Sequence, residues 1–365
     1  MPRVTVICPT YNRSTALRRT LDSVRCQSVR DWELLVVSDG STDDTDAVAR
    51  AAAREDPRVR LIRTERHGHP SGPRNAGLAE GRGEVVAYLD HDDRWRPDHL
   101  LTVLTAVGTG AELVATGHQS HDRHGRVTAV SEPLGLCWHP EFQVLAPMFE
   151  PSRVAHLRGL AERAGGWRAG PGLEDWDLWV RMADSGARFT TVTAPTALLL
   201  DDTATRRHRT ARPHRLPLAE FDDPRRARAF VSQLNDPLHD EEFRAACEAD
   251  LRAWFRRLLD TPDFVLPLDR PDVRDTGVLD TEIARLVRAT APLWPDLVVV
   301  PRRGGAVVAQ RLWCATTAHA TRIRELARRS HARQFALLAE LAVRPARDSA
   351  PDGGLAVEAT ARPTT

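Results

Sequence analysis

Between residues 3 and about 118, short apolar runs alternate with helical patterns, and this alternation constrains the fold more than any other feature of the chain. "RVTVIC" reads as a buried strand, and Ser14 or Thr15 then starts a helix in which Leu17, Leu21 and Val24 recur at helical spacing. "WELLVVSD" is a second strand, "DDTDAVARAAAR" a second helix and "RVRLIR" a third strand. "SGPRNAGLAEG" makes a turn and a short helix, and "EVVAYLD" a fourth strand. This βαβαβ rhythm demands a mostly parallel sheet with helices on its faces, so the class is α/β.

Further along, "AELVATGHQSHDRHGRVTAV" reads as a hairpin turning at "DRHG", and residues 137–172 read as irregular. "LEDWDLWVRMADSG" restarts a helix that Gly186 ends, and "ARFTTVTAPTALLL" supplies one or two strands. Beyond about residue 216 helices dominate. Phe243, Ala246, Cys247, Leu251, Trp254, Phe255, Leu258 and Leu259 make one wide apolar face, and "ATRIRELARRSHARQFALLAELAV" repeats the theme. "LVVVPRRGGAVVAQ" fits either a hairpin or a helix break. A length of 365 residues suits about two domains, here an α/β domain over 1–215 and a helical accessory domain over 216–345. Residues 346–365 read as a disordered tail.

The charges almost cancel at +1 and are interspersed, which argues against nucleic acid or a membrane surface as the main partner. All 51 basic side chains are Arg, with no Lys, so an Arg by itself is a weak signal. The start "MPRVTVICPTYNR" lacks a secretory pattern and no apolar run is long enough to span a bilayer, so a cytoplasmic protein without an integral membrane segment is expected. The five cysteines, Cys8, Cys26, Cys137, Cys247 and Cys314, are far apart and form no metal-binding pattern; they are expected to be reduced and packed.

Open α/β sheets bind ligands at the carboxyl ends of their strands. Polar clusters stand at those ends here: "PTYNR" after strand one, "SDGSTDD" after strand two, "DHDD" after strand four and "PRNAG" before it. Neither GxGxxG nor a P-loop follows strand one, so a nucleotide must be held in another way. Alternate strand residues lie about 7 Å apart, so Asp90 and Asp92 share an ion closely only if the chain turns between them. One would ligate and the other assist, and oxygen-only donors suit Mg²⁺ or Mn²⁺ with phosphates completing the shell. The other reading is that Asp92 and Asp93 cap a helix beginning near Pro97, with Asp98 in its first turn.

Together "VTVICPTYNRSTALRRTLDSVRCQ", "WELLVVSDGSTDDT", "RNAGL", "VVAYLDHDD" and "GGWRAGPGLEDWDLWVRMADSG" resemble the inverting nucleotide-sugar glycosyltransferases of family 2, which have the GT-A fold. The resemblance covers residues 3 to about 210 and implies a GT-A catalytic domain over 1–215; the C-terminal helices, outside it, are expected to serve acceptor recognition or oligomerisation. It implies a donor site built from Pro9, Thr10, Tyr11, Arg13, Asp39, Arg74, Asp90 and His91, in which Tyr11 shapes the base pocket and Asp39 accepts a hydrogen bond from the base. Asp92 would hold Mn²⁺ or Mg²⁺, and His208, in the basic segment "TRRHRTARPHR", is a second candidate ligand. Asp175 would be the general base with Glu174 beside it.

For Asp175, a helix N-terminus lowers a carboxylate pKa whereas burial beside Trp176 and Trp179 raises it. Those tryptophans are either sugar-stacking platforms or core. Ser38 stands where many relatives carry a second acid, and residues 216–365 match no pattern of the family. The expected donor is a UDP-sugar. The acceptor is open among a glycan, natural product, lipid-linked or peptide nucleophile. Nucleotidyl transfer on a similar sheet and non-catalytic nucleotide-sugar binding are the competing functions.

Overall fold

Strand β1 (Val4–Thr10) is buried along its whole length, which is why its sequence is nearly continuous in apolar residues instead of alternating. The computed structural model describes residues 2–170, 172–201, 214–290, 294, 296–314 and 316–343. After β1 come α1 (Ser14–Arg25), β2 (Trp32–Asp39), α2 (Thr45–Glu55), β3 (Val59–Thr64), α3 (Ser71–Glu80) and β4 (Val85–Tyr88), the expected alternation. Then follow β5 (Arg94–Trp95), α4 (His99–Gly108), the hairpin β6 (Leu113–His121) and β7 (Val127–Val130), α5 (Pro140–Leu145), β8 (Val154–Leu157), α6 (Leu160–Arg163), α7 (Glu174–Asp184) and β9 (Phe189–Leu200).

Among the described residues these strands form one sheet in the order β3-β2-β1-β4-β8-β6-β9-β5, with β7 paired to β6. The run β3-β2-β1-β4 is parallel throughout. Strand β8 lies antiparallel between β4 and β6, while β9 runs parallel to β6. The region read as irregular thus contributes a central strand, whose four residues "VAHL" are too short to show a period. Successive β1 side chains face opposite ways. Val4, Val6 and Cys8 pack with Leu17, Leu21 and Val24 of α1 and Leu100 of α4, whereas Ile7 joins Leu78 of α3 and Trp179 of α7 on the other face.

The sequence "RNAG" divides its labour along α3. Arg74 points into the site described below, Asn75 exchanges hydrogen bonds with the Trp167 backbone at 2.8 and 2.9 Å, and Gly77 lets α3 lie directly on β1.

A second compact unit falls within residues 211–261 and 275–365, while 262–274 belong with the first unit. Its described part holds β10 (His214–Phe221), α8 (Pro224–Leu234), α9 (Pro237–Leu259), α10 (Thr276–Ala289), β11 (Leu297–Arg302), β12 (Gly305–Leu312), α11 (Thr317–Ser330) and α12 (Ala332–Val343). It is mainly helical, as expected. "LVVVPRRGGAVVAQ" is a hairpin, and β10, unforeseen at the edge of the basic segment, completes a three-stranded antiparallel sheet in the order β10-β12-β11. Phe230, Val231 and Phe243 pack against Val299, Val308 and Leu338 in its core. The tail 346–365 lies outside the described residues. Among those described, no helix is long and apolar enough to cross a membrane.

A Cβ at Gly77 lies 2.6 Å from Cγ2 of Ile7, a fully buried side chain with no room to withdraw. Gly77→Val is therefore expected to cost about 1–3 kcal/mol through overpacking, read as a lower midpoint in urea denaturation with an unchanged slope.

Candidate active site

The loops after β1 and β2 are fastened to each other. Asn12 turns the chain with φ +49° and its side-chain oxygen accepts the Thr42 N–H at 2.8 Å, while Gly40 turns the second loop with φ +67°. Asp39 is buried beneath them. Its carboxylate accepts the backbone N–H groups of His67 and Gly68 at 2.8 and 3.0 Å, meets the His67 ring nitrogen at 3.1 Å and pairs with the Arg66 guanidinium. Burial alone would raise its pKa, but these donors and the Arg66 charge hold it below the usual value. The Arg66 guanidinium also lies 3.5 Å from the centre of the Tyr11 ring. Nearby, Thr10 Oγ1 is buried without a hydrogen-bond partner among the described residues.

After β4 the chain turns, as a shared ion would require: the Asp93 N–H donates to the Asp90 carbonyl at 3.1 Å and the Asp90 N–H to Ser152 Oγ at 3.0 Å. Asp93 is spent on structure, accepting the Ser152 hydroxyl at 2.5 Å and the Leu200 N–H at 2.9 Å. Neither Asp92 nor Asp93 caps a helix; Asp98 occupies the N-cap of α4 and its side chain makes no capping bond. The His91 ring nitrogen Nδ1 donates to the Pro9 carbonyl at 3.1 Å, and Nε2 lies 4.0 Å from the Asp92 carboxylate. Asp92 keeps 26 % of its side chain exposed. Its pKa is raised by burial against the opposing influence of His91, with Asp90 adding to the rise.

Arg74 is the hub. Only 2 % exposed, it donates to Asp90 at 2.8 Å and to Glu174 at 3.1 Å, and stacks 4.4 Å from the Trp167 ring. Burial alone would lower its pKa, but Asp90 and Glu174 raise it.

Helix α7 is entered through Leu173 in a left-handed conformation, φ +61°, which a branched side chain adopts only under constraint. That entry brings Glu174 and Asp175 to the cavity wall. Asp175 accepts the Trp176 N–H at 2.8 Å, yet burial and the neighbouring Glu174 charge push its pKa up to about 7. The contest between helix terminus and burial is won by burial. Trp176 and Trp179 are both core, 1 % and 0 % exposed, their indole N–H groups donating to the Gln143 and Phe149 carbonyls.

One cavity of about 420 Å³ is lined by Pro9, Thr10, Tyr11, Arg13, Asp39, Arg74, Asp90, His91, Asp92, Glu174 and Asp175. His208 lies outside the described residues. The sequence reading overlooked Arg66, His69 and Glu150 on the same wall. Arg66 and His69 follow the end of β3, where the strand-end rule applies as it does to β1, β2 and β4; Glu150 carries no comparable signal. The cysteines are all free, and Cys26 departs from expectation by being exposed at the end of α1, where no core covers it.

Arg74→Met leaves Asp90 and Glu174 facing each other without their cation. It is expected to destabilise by about 3 kcal/mol near pH 7, the low end for breaking a buried pair. Asp90 remains 30 % exposed and so recovers some hydration. Urea denaturation at pH 7 measures this as a lower midpoint.

Residues 5–158 match the model of the family Glycosyl transferase family 2. Over 155 residues the chain is 36% identical to succinoglycan biosynthesis protein ExoO of Rhizobium meliloti, covering 42% of this chain and 43% of that protein. It is 33% identical over 111 residues to the GalNAc(5)-diNAcBac-PP-undecaprenol beta-1,3-glucosyltransferase of Campylobacter jejuni, covering 30% of this chain and 36% of the other. A further relative, the uncharacterized protein y4gI of Sinorhizobium fredii, is 32% identical over 190 residues, 49% of this chain and 20% of that one. The chain spans less than half the length of each of these relatives. Among solved structures, TarS of S. aureus in complex with UDP-GlcNAc aligns with a TM-score of 0.49 at 19% identity, over 65% of this chain and 68% of that one. Over residues 5–158 the chain is thus similar to glycosyl transferase family 2, the family that its motifs resemble.

Proposed function

We propose that this protein is an inverting glycosyltransferase that moves a sugar from a nucleoside-diphosphate sugar, a UDP-sugar first, to an acceptor hydroxyl or other nucleophile. The observation that carries the reading is one cavity that joins an ionised acceptor-only carboxylate, Asp39, to two carboxylate groups separated by the buried Arg74. Asp39 and the Tyr11 ring suit a flat base that presents an N–H, as uracil does. The unpartnered Thr10 hydroxyl beside them can bond to the same nucleotide.

The residues fit a divalent metal ion at the diphosphate. Asp92 is a partly exposed carboxylate whose charge is disfavoured by burial and by Asp90, and a cation relieves both. Asp90 is already shared with Arg74, so Asp92 is the direct ligand and Asp90 the assisting group. Among the described residues no three His, Cys, Asp or Glu side chains cluster to hold an ion. That suits Mg²⁺ or Mn²⁺, which take one or two protein carboxylates and complete their shells with water and phosphate. When bound, the ion neutralises the charge that gathers on the departing diphosphate.

Asp175 receives the proton of the acceptor hydroxyl as the acceptor oxygen bonds to C1 and the bond from C1 to the diphosphate oxygen breaks, which inverts the configuration. A carboxylate with a pKa of about 7 is matched to proton transfer near neutral pH. Glu174, tied to Arg74 at 3.1 Å and 3.8 Å from the His69 ring, holds this wall in place and lifts the pKa of Asp175 by its charge.

UDP with Mn²⁺ is expected to raise the melting temperature and Asp92→Ala to remove that shift; no shift with UDP, GDP or dTDP refutes the nucleotide site. Asp175→Asn should keep the shift while release of UDP from a nucleotide-sugar panel falls about 10²–10⁴-fold. Because the base acts deprotonated, wild-type turnover should climb as pH rises through about 7 and level off above it.

A further inference from the structure

The Asp39 carboxylate is fully engaged before any nucleotide arrives. One oxygen faces the His67 N–H and the His67 ring nitrogen, and the other faces the Gly68 N–H and the Arg66 guanidinium. A carboxylate offers about four lone-pair sites, so an N–H of an incoming base finds none open unless one donor leaves. The donors are not equally free to leave. Two are backbone groups held by the loop itself, whereas the His67 ring and Arg66 are side chains 45 % and 44 % exposed, and of these Arg66 is the one that lies over the Tyr11 ring. Its guanidinium is a flat group of N–H donors, stacked 3.5 Å from the Tyr11 ring centre while bonded to Asp39. In shape and polarity that is the arrangement a stacked base with an N–H edge would make with the same two residues.

We propose that Arg66 is a built-in stand-in for the nucleotide base: it fills the slot between Tyr11 and Asp39 and swings out when the donor binds. This rests on the nucleotide site proposed above. The consequence is a selective entrance. A base displaces Arg66 only by restoring both the stacking on Tyr11 and the hydrogen bond to Asp39. A ligand lacking a base leaves Arg66 in place. Donor affinity is therefore set by a difference between two occupants of one slot.

The test compares wild type, Arg66→Ala and Arg66→Gln by calorimetric titration with UDP and, separately, with inorganic pyrophosphate, each with Mn²⁺. Removing a partly exposed cation whose ion pair and cation–π contact compete with the base is expected to tighten UDP about 3–20-fold in Arg66→Ala. Arg66→Gln should fall between the two, and pyrophosphate affinity should stay within about twofold of wild type, since that probe never enters the base slot. Unchanged or weaker UDP binding in Arg66→Ala overturns the proposal, because Arg66 then lies beside the bound base as a clamp. Weaker pyrophosphate binding also overturns it, by making Arg66 a phosphate contact. A failure of all three proteins to bind UDP, GDP or dTDP refutes the nucleotide site itself and the stand-in with it.

Discussion

Among the described residues Arg74 is the cation buried between Asp90 and Glu174, and the electrostatics of the cavity depend on it. One guanidinium cannot neutralise all the acids of the cavity wall. It bonds directly to two, and three of the acids, Asp92, Asp93 and Asp175, have raised pKa values, from burial first and from neighbouring acid charges second. Their settings differ. Asp93 takes two structural hydrogen bonds, Asp92 lines the cavity with part of its side chain exposed, and Asp175 has its pKa pushed up to about 7. Burial and neighbouring charge thus give otherwise similar carboxylates different environments.

The surroundings keep that division rigid. Ser152 accepts the Asp90 N–H, donates to Asp93, and through its carbonyl accepts the Trp95 indole N–H, so the acidic turn is tied to the single helical turn Pro151–Arg153 that leads into β8. On the other side, Asn75 locks α3 to Trp167, the ring on which Arg74 stacks. Groups held by packed neighbours lose less entropy when a ligand arrives than groups on free loops. Arg66 is the exception, partly exposed and held by its contacts with Asp39 and the Tyr11 ring.

Much of this was legible from residues alone, for reasons tied to local physics. The parallel run β3-β2-β1-β4 followed from continuous apolar strands alternating with helical periods, and the strand-end rule drew attention to Asp39, Asp90 and Asp92. "VAHL" failed to announce itself as a central strand because four residues carry no period and its neighbours are antiparallel strands distant in sequence. The edge strand β10 was hidden for a similar reason, since "HRLPLAEF" continues a basic run and pairs with residues more than eighty positions away. Arg66 was lost among many arginines.

By itself, the sequence determined the α/β class, the strand ends at which chemistry gathers and the set of carboxylates available to it, because these depend on local periodicity and residue type. Only the tertiary structure decided what each carboxylate does. Asp93 became a tie, Asp175 acquired a pKa of about 7 despite its helix N-terminus, and Arg74 passed from one surface arginine among many to the buried link between two acidic groups. Burial and the distance between charges set those outcomes, and both arise from residues that are far apart in the chain and meet only when it folds.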